Sequence, residues 1–322
     1  MSSPTRALAR RVIELACRAP SVHNTQPWRW RVVDGTAIEL RGDQHRQLLV
    51  SDPCGRNLAI SCGVALHHAM VVARALGLDT DVELEPSGPA DPLLARMTLT
   101  AGTAGPGAEQ VLQAVAERRT DRRHTTSWPV PEARTHRLAV RASGWGAHVV
   151  AVSDVADRFR LDALVEQAGS LQAADPRFVE EQQAWTGHSR SDGIAATTAV
   201  PPRNGRPPEH PNRFEASAPP STGGASGADG VIALCSVEDD RGSWLRCGQA
   251  LSALWLQAAR EGLSIVPLSQ VVEVDETRAA LQRDVLGGLA RPQVVVRVAW
   301  PASDPEPLER TPRRPVGQVI QR

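Results

Sequence analysis

Apolar residues recur every three to four positions in residues 61–78 and again in residues 246–263, and this spacing predicts two helices that are buried along one face. The two segments align without a gap at an offset of 185 residues, and seven of 18 positions are identical. The identical pairs are Cys62/Cys247, Gly63/Gly248, Ala65/Ala250, Leu66/Leu251, Ala73/Ala258, Gly77/Gly262 and Leu78/Leu263. The match favours an internal duplication, and the alternative is two core helices that are alike by chance in a chain rich in Ala and Leu.

Short runs of apolar and β-branched residues between turn residues predict strands. The strands are expected at 28–33, 37–41, 82–85, 95–101, 147–152, 231–236, 264–268 and 292–300. Further helices are expected at 6–18, 107–119, 155–171 and 275–286. A mixture of helices with strands that suit mainly antiparallel pairing predicts an α+β fold.

Residues 187–230 interrupt this pattern, because they hold seven prolines, seven glycines and few apolar side chains. So long an irregular stretch inside a compact protein is usually a functional lid or a disordered surface loop. Both interpretations stay open from the composition.

The composition narrows the classes of function. The 322 residues suffice for one large domain or two ordinary ones. Lys plus Arg and Asp plus Glu both number 36, so the formal net charge is zero, and we expect no nucleic acid and no anionic membrane as a partner. The chain contains no lysine and no tyrosine, which excludes Schiff-base chemistry, a Walker-type phosphate loop and a tyrosine acid or nucleophile.

The cysteines and the N-terminus indicate the compartment. Five scattered cysteines do not form a disulfide framework and suit a reducing environment. The N-terminal residues lack the apolar stretch of a signal peptide, and no apolar run approaches the roughly 20 residues of a membrane helix. We therefore expect a cytoplasmic protein. We expect no metal site either, because the adjacent His67 and His68 would point to different sides of a helix with no acidic residue nearby.

Residues 19–28 read APSVHNTQPW and connect the first predicted helix to a strand. Pro20 and Pro27 stiffen this loop, and between them Ser21, Asn24 and Gln26 can donate and accept hydrogen bonds. A flat heteroaromatic ligand with alternating donors and acceptors needs such a rim. The alternative is an ordinary helix-to-strand turn with capping side chains.

Residues 117–123 read ERRTDRR and close a predicted helix. Four arginines within six residues can hold a phosphate group or can form a solvated basic turn. A second basic pair, Arg313 and Arg314, lies near the C-terminus.

Taken in this order, the motifs resemble those of the nitroreductase superfamily. Residues 19–30 resemble its APSxxNxQPW loop, ERRTDRR resembles its RRSxR phosphate motif, and residues 246–267 are similar to its helix and GLGxxP flavin segment. The loop comes before the arginine motif, and a Pro/Gly-rich insert comes before the final long helix. This order of features resembles that of the Acg-type branch. In that branch two nitroreductase-like halves are fused in one chain.

The resemblance implies an α+β nitroreductase-like fold with pseudo-two-fold symmetry. Its first half would span 1–105, and its second half would span 106–322 and carry residues 187–230 as a lid. We expect one FMN per chain between the halves, because the first half lacks an RRSxR-like start and the second half lacks an APSxxNxQPW loop. The chain would then be a pseudo-dimeric monomer or a homodimer.

The implied FMN contacts come from both halves. Contacts to the isoalloxazine ring and the ribityl chain would come from the loop residues Pro20, Ser21, Val22, Asn24 and Gln26. The phosphate would be held by Arg118, Thr120 and Arg122, with Arg313 or Arg314 closing that end. The ring near N5 would be lined by Pro267, Leu268 and Ser269. The start of the insert offers further candidate contacts: Trp185, His188, Ser189, Arg190 and Ile194.

The implied activity is a transfer of hydride from NAD(P)H to the flavin and of electrons onward to a nitroaromatic or quinone-like small molecule. Flavin supplies the redox chemistry, so no side chain has to act as acid or nucleophile. The alternative is a protein that sequesters FMN under its lid without turnover. A third hypothesis, from another class, is a flavin-free interaction domain.

Overall fold

The computed structural model describes residues 3–120, 126, 128–194, 229–288, 290–301 and 310–321. The helices in these ranges are α1 (Ser3–Ala16), α2 (Arg56–Ala75), α3 (Ala108–Glu117), α4 (Glu132–Ser143), α5 (Val155–Ala174), α6 (Pro176–Trp185), α7 (Arg241–Arg260), α8 (Gln270–Glu273), α9 (Asp275–Asp284) and α10 (Val316–Val319). The strands are β1 (Trp28–Val33), β2 (Ala37–Gly42), β3 (Leu78–Leu84), β4 (Leu93–Ala101), β5 (His148–Ala151), β6 (Gly230–Ser236), β7 (Ser264–Pro267), β8 (Arg291–Ala299) and β9 (Ile320–Gln321).

The strands form two sheets. The first has the order β3-β4-β2-β1-β9 and is antiparallel except for β9, which runs parallel to β1. The second has the order β5-β6-β8-β7 and is antiparallel throughout. The predicted α+β class with mainly antiparallel sheets is therefore confirmed. Because β9 pairs with β1, residues 320–321 complete a sheet whose other strands all lie between residues 28 and 101.

The two repeated segments are α2 and α7, which pack against each other in the main hydrophobic core. A Cβ atom on Gly63 would lie 2.2 Å from the carbonyl oxygen of Leu245, and one on Gly248 would lie 2.1 Å from that of Ile60. Positions 60 and 245 also correspond at the offset of 185 residues, so each helix makes the same contact with the other. Only glycine allows the backbones to approach so closely, which explains the glycine in both copies.

Local signals fix the ends of both helices. The Asp52 carboxylate accepts the backbone N–H groups of Asn57 and Leu58, at 3.0 and 2.9 Å, so α2 begins five residues earlier than its periodicity predicts. Gly77 and Gly262 follow the two helices with φ of 79° and 73°, the left-handed conformation expected of the Gly-Leu ends.

Among the described residues, α2 is the one helix that is long and apolar enough to cross a membrane by length and composition. Within the fold, 78% of its most apolar window is buried, because α1, α3 and α7 pack around it. Such burial is typical of the central helix of a globular core.

Candidate functional site

A cleft opens where the loop after α1 meets α2, α7 and the end of β7. It encloses about 1110 Å³ of space not filled by atoms, counted out to its open side. Seven sequence-predicted residues line it: Pro20, Ser21, Val22, Thr120, Pro267, Leu268 and Ser269. The structure thus brings residues that lie about 250 positions apart in the sequence into the lining of one cleft.

Hydrogen bonds and two prolines hold the loop of residues 19–28 in a strained shape. His23, Asn24 and Gln26 have φ of 44°, 54° and 50°, a left-handed conformation that residues other than glycine rarely adopt. The Gln26 N–H donates to the Ser21 hydroxyl at 2.9 Å, and the Val22 N–H donates to the Ser61 hydroxyl of α2 at 3.2 Å. The loop backbone is therefore fixed against the floor of the cleft.

The predicted contacts Asn24 and Gln26 do not line the cleft, because their side chains bind other parts of the chain. The Asn24 amide donates to the Gly193 carbonyl oxygen at 3.0 Å, and the Gln26 amide donates to the Ser191 carbonyl oxygen at 2.8 Å. The Arg314 N–H donates to the Gln26 side-chain oxygen at 2.8 Å. Both side chains thus join the loop to the insert and to the C-terminal segment, and their contact with a flavin stays a prediction.

Arg118 follows directly on α3, which ends at Glu117, and the chain turns there with ψ of 128°. Arg118 is not itself among the lining residues of the cleft. Its guanidinium carbon stands 5.0 Å from the ring centre of Trp255, which lines the cleft. The side chain is buried, and neither Nε nor Nη1 has a hydrogen-bond partner among the described residues. A buried donor without a partner is costly, so this group is suited to receive an anion.

Other arginines reinforce the positive charge around Arg118. Burial, followed by the charges of Arg313 and Arg119, lowers the pKa of Arg118 well below its ordinary value. Burial also lowers the pKa of Arg313 to about 10. Arg313 donates to the Arg18 carbonyl oxygen at 3.0 Å and to the Asn24 side-chain oxygen at 3.1 Å. No described carboxylate lies within ion-pair distance of Arg118, Arg119 or Arg313, whereas Arg122 falls outside the described residues.

Arg314 has a different role from Arg313. Its guanidinium is buried, donates to the Gln26 carbonyl oxygen at 3.2 Å and lies 3.9 Å from the Asp43 carboxylate. This charge is therefore partly compensated. Arg313, by contrast, has no described carboxylate within ion-pair distance, so its charge adds to the positive charge around Arg118.

The start of the insert is linked to the loop through Asp192 and Arg46, because Arg46 also donates to the Thr25 carbonyl oxygen. The Asp192 carboxylate accepts from Arg46 and Ser189 and pairs with His188 Nδ1 at 2.9 Å. Although burial raises the pKa of Asp192, the hydrogen bonds from Ser189, His188 and Arg46 hold it at about 2. Trp185 stacks on His188 with ring centres 4.6 Å apart.

The remaining candidate contacts of the insert lie in the same region. The Ile194 N–H donates to the Trp185 carbonyl oxygen at 2.8 Å, and Arg190 is exposed. None of the five residues proposed from the start of the insert lines the cleft. Residues 195–228, which make up the rest of the predicted lid, fall outside the described residues.

Several lining residues were not named as candidate contacts from the sequence, although His23, Leu251, Trp255 and Val266 lie within its motifs. They are His23, Asn57, Ile60, Ser61, Val64, Leu251, Trp255, Val266, Gln270, Val272, Gln293, Val294 and Arg297. The sequence did contain a signal for Leu251 and Trp255, because they are four residues apart and therefore share one face of the second repeated helix. For Gln293 and Arg297 no local pattern distinguishes them from other strand residues.

The chain is similar over nearly its whole length to two proteins of Mycobacterium tuberculosis. It is 36% identical over 327 residues to Rv3131, named as a candidate NAD(P)H nitroreductase, with 99% of this chain and 92% of the relative covered. It is 33% identical over 326 residues to Acg, named in the same way, with 98% and 96% covered. The solved FMN-dependent nitroreductase NfnB of Mycobacterium smegmatis, in complex with NADPH, is 16% identical, with 66% of this chain and 98% of that chain covered and a TM-score of 0.45. No family model matches the chain.

Proposed function

Because the chain belongs to the nitroreductase family, in the branch that includes Acg, we propose that it is an FMN-dependent NAD(P)H oxidoreductase with its flavin in the cleft between α2 and α7. The observation that carries this proposal is the buried guanidinium of Arg118, whose Nε and Nη1 have no partner among the described residues, against Trp255 of a cleft that the predicted loop residues line. A phosphate group would satisfy these donors and neutralise the surrounding charge.

The phosphate end of the cofactor fits the arginines around Arg118. Each charge-assisted hydrogen bond to a phosphate oxygen would contribute about 1.5–3 kcal/mol. Thr120, from the same segment as Arg118, and Arg313, from the C-terminal segment, would hold the same group. Arg122 stays a predicted phosphate contact on the grounds of its motif alone.

The ring end fits the opposite part of the cleft. Pro20, Ser21 and Val22 would cover one side of the isoalloxazine ring, and Pro267 and Leu268 the other. When bound, FMN supplies the hydride and electron chemistry. The residues of the chain bind the ring, orient it and exclude water from its faces, and none of them has to exchange a proton.

In this proposal NAD(P)H is the reductant, and a nitroaromatic or quinone-like small molecule is the electron acceptor. The open side of the cleft supports access for both. The relatives Rv3131 and Acg are named as candidate NAD(P)H nitroreductases, which supports the choice of reductant. We keep the cytoplasm as the predicted location.

A second candidate function, the sequestration of FMN without turnover, is favoured by the way the insert is bound. The Asp192 cluster and the amides of Asn24 and Gln26 fasten residues 185–194 to the loop that lines the cleft. An insert fastened there could cover the flavin and exclude a reductant.

The organisation into two fused halves, 1–105 and 106–322, is part of the same proposal. The reciprocal contacts of Gly63 and Gly248 support an internal duplication, because each helix uses the same position against its partner. Two halves in one chain would build both sides of one flavin site, so the protein would be a pseudo-dimeric monomer. Light scattering of the purified protein tests this against a homodimer.

Addition of NADPH or NADH to the yellow protein without oxygen separates the two functions. We expect the flavin absorbance to bleach and to return when a quinone is added. A flavin band that stays unchanged with either nucleotide would exclude the oxidoreductase and favour sequestration. Protein that takes up no FMN at all would exclude both and favour an interaction domain.

A further inference from the structure

A buried histidine, His68, feels the charges of Arg118 and Arg313, two of the arginines that we assign to the phosphate. The α2 residues that line the cleft are Asn57, Ile60, Ser61 and Val64. The same helical stripe continues four residues later with His68, which is fully buried. His68 therefore lies one helical turn beyond the floor of the cleft.

Hydrogen bonds determine which ring nitrogen of His68 carries the proton. Nδ1 lies 3.0 Å from the Val64 carbonyl oxygen and 2.8 Å from the Ser252 hydroxyl. A carbonyl oxygen can only accept, so Nδ1 holds the proton and Nε2 bears a lone pair. Nε2 is buried and has no partner among the described residues. The neutral ring thus has one unsatisfied acceptor.

The surroundings of His68 are positively charged. Its packed neighbours contribute Arg118 from the end of α3 and Arg313 from the C-terminal segment, while α7 contributes only the Ser252 hydroxyl. On its own helix, His67 contacts the same hydroxyl at 2.7 Å, so the two histidines meet at one atom of α7. Burial, followed by the charge of Arg118 and then by His67, holds the pKa of His68 well below its ordinary value.

We propose that His68 is a further phosphate-binding residue of this cleft, and that FMN binds together with one proton shared between His68 Nε2 and a phosphate oxygen. This inference rests on the proposed function. A lone pair on Nε2 and a fully ionised phosphate would repel each other, whereas one proton between them forms a charge-assisted hydrogen bond. The proton comes from the solvent, and no other atom is transferred.

The consequence is a pH-dependent affinity for FMN. Free phosphate monoesters lose their second proton near a pKa of about 6. Above that pH both free partners lack the shared proton, so binding takes one up and the Kd rises about tenfold for each pH unit. Riboflavin has no phosphate and should bind with a Kd that does not change with pH in the same range.

The test is a fluorescence titration of flavin-free protein with FMN and with riboflavin between about pH 7 and pH 9, above the phosphate pKa. The wild type should show the tenfold slope for FMN only. His68→Gln, which presents an amide donor, should bind FMN with a flat Kd, and His68→Asn is a second variant should the first not fold. His67→Gln is the matched control, because it loses the same Ser252 contact but should keep the slope.

The possible outcomes are distinct. A flat wild-type Kd for FMN, equal slopes for FMN and riboflavin, or a slope that persists without His68 would each overturn the role of His68 while the FMN site stands. A protein that binds neither flavin would overturn the proposed function and this inference together.

Discussion

Replacing Arg118 by methionine should weaken FMN binding without destabilising the flavin-free protein. The side chain is only 5% exposed, and two of its nitrogen atoms have no described partner. A buried charge without a counter-ion opposes folding, and methionine fills a similar space over the ring of Trp255. We therefore expect the melting temperature of the flavin-free variant to equal or exceed that of the wild type.

The expected loss of affinity follows from the hydrogen bonds that Arg118 would donate. One charge-assisted bond is worth about 1.5–3 kcal/mol, and each 1.4 kcal/mol is a factor of about ten in Kd. The Kd for FMN should therefore rise roughly 10- to 150-fold. The Kd for riboflavin, which lacks the phosphate, should stay close to that of the wild type.

The assay combines flavin fluorescence titration with thermal unfolding of flavin-free protein. Arg241→Met is a matched control, because Arg241 pairs with Glu85 at 2.6 Å and does not line the cleft. It should leave the Kd for FMN unchanged and lower the melting temperature slightly. An Arg118→Met variant that binds FMN as tightly as the wild type, or that loses FMN and riboflavin equally, would refute the assignment of Arg118 to the phosphate.

Three further predictions concern the phosphate motif, the helix crossing and the insert. Replacing both Arg118 and Arg122 by alanine should strip the cofactor while circular dichroism stays unchanged, and retained FMN would place the phosphate elsewhere. Gly248→Ala should lower the melting temperature because its Cβ would lie 2.1 Å from a carbonyl oxygen, whereas Gly317→Ala, with open space around it, should not; equal effects would contradict the close approach. Asp192→Asn should speed tryptic cleavage after Arg190 at neutral pH. Because the pKa of Asp192 is lowered from 3.8 to about 2, the contribution of its carboxylate is present above pH 3.8 and is lost as the pH falls toward 2. Over that range the melting temperature of the wild type should therefore fall more than that of Asp192→Asn; equal falls, with an unchanged cleavage rate at neutral pH, would be evidence against the cluster.

Most elements with a periodic pattern were predicted from the sequence, but α4 was not, although its buried residues Leu138, Ala139 and Ala142 follow a helical spacing. The repeated segments 61–78 and 246–263 correspond to α2 and α7, and the predicted strands correspond to strands of the two sheets. The two-residue β9 was missed, because its pairing with β1 joins residues about 290 positions apart. The helix α6 was also missed, although Asp175 caps it and Pro176 opens it; in the fold its Glu181 accepts two N–H groups from the loop before α2.

The sequence predicted several residues of the candidate site, but it did not predict which groups bind their side chains. Spacing alone indicated a polar rim with Asn24 and Gln26, but only the fold shows that the insert and the C-terminal segment bind their side chains. The run ERRTDRR could not reveal which arginine is buried, because this depends on where α3 ends. His68 was dismissed with His67 as a pair on different faces, whereas both reach the Ser252 hydroxyl across the crossing of α2 and α7.

The central claim is that one FMN binds in the cleft between α2 and α7. The measurement that tests it most directly is the number of flavin molecules bound per chain, obtained by titrating flavin-free protein with FMN until the fluorescence of free flavin appears. We predict saturation at one FMN per chain. Saturation at two, or free-flavin fluorescence from the first addition, would contradict the account.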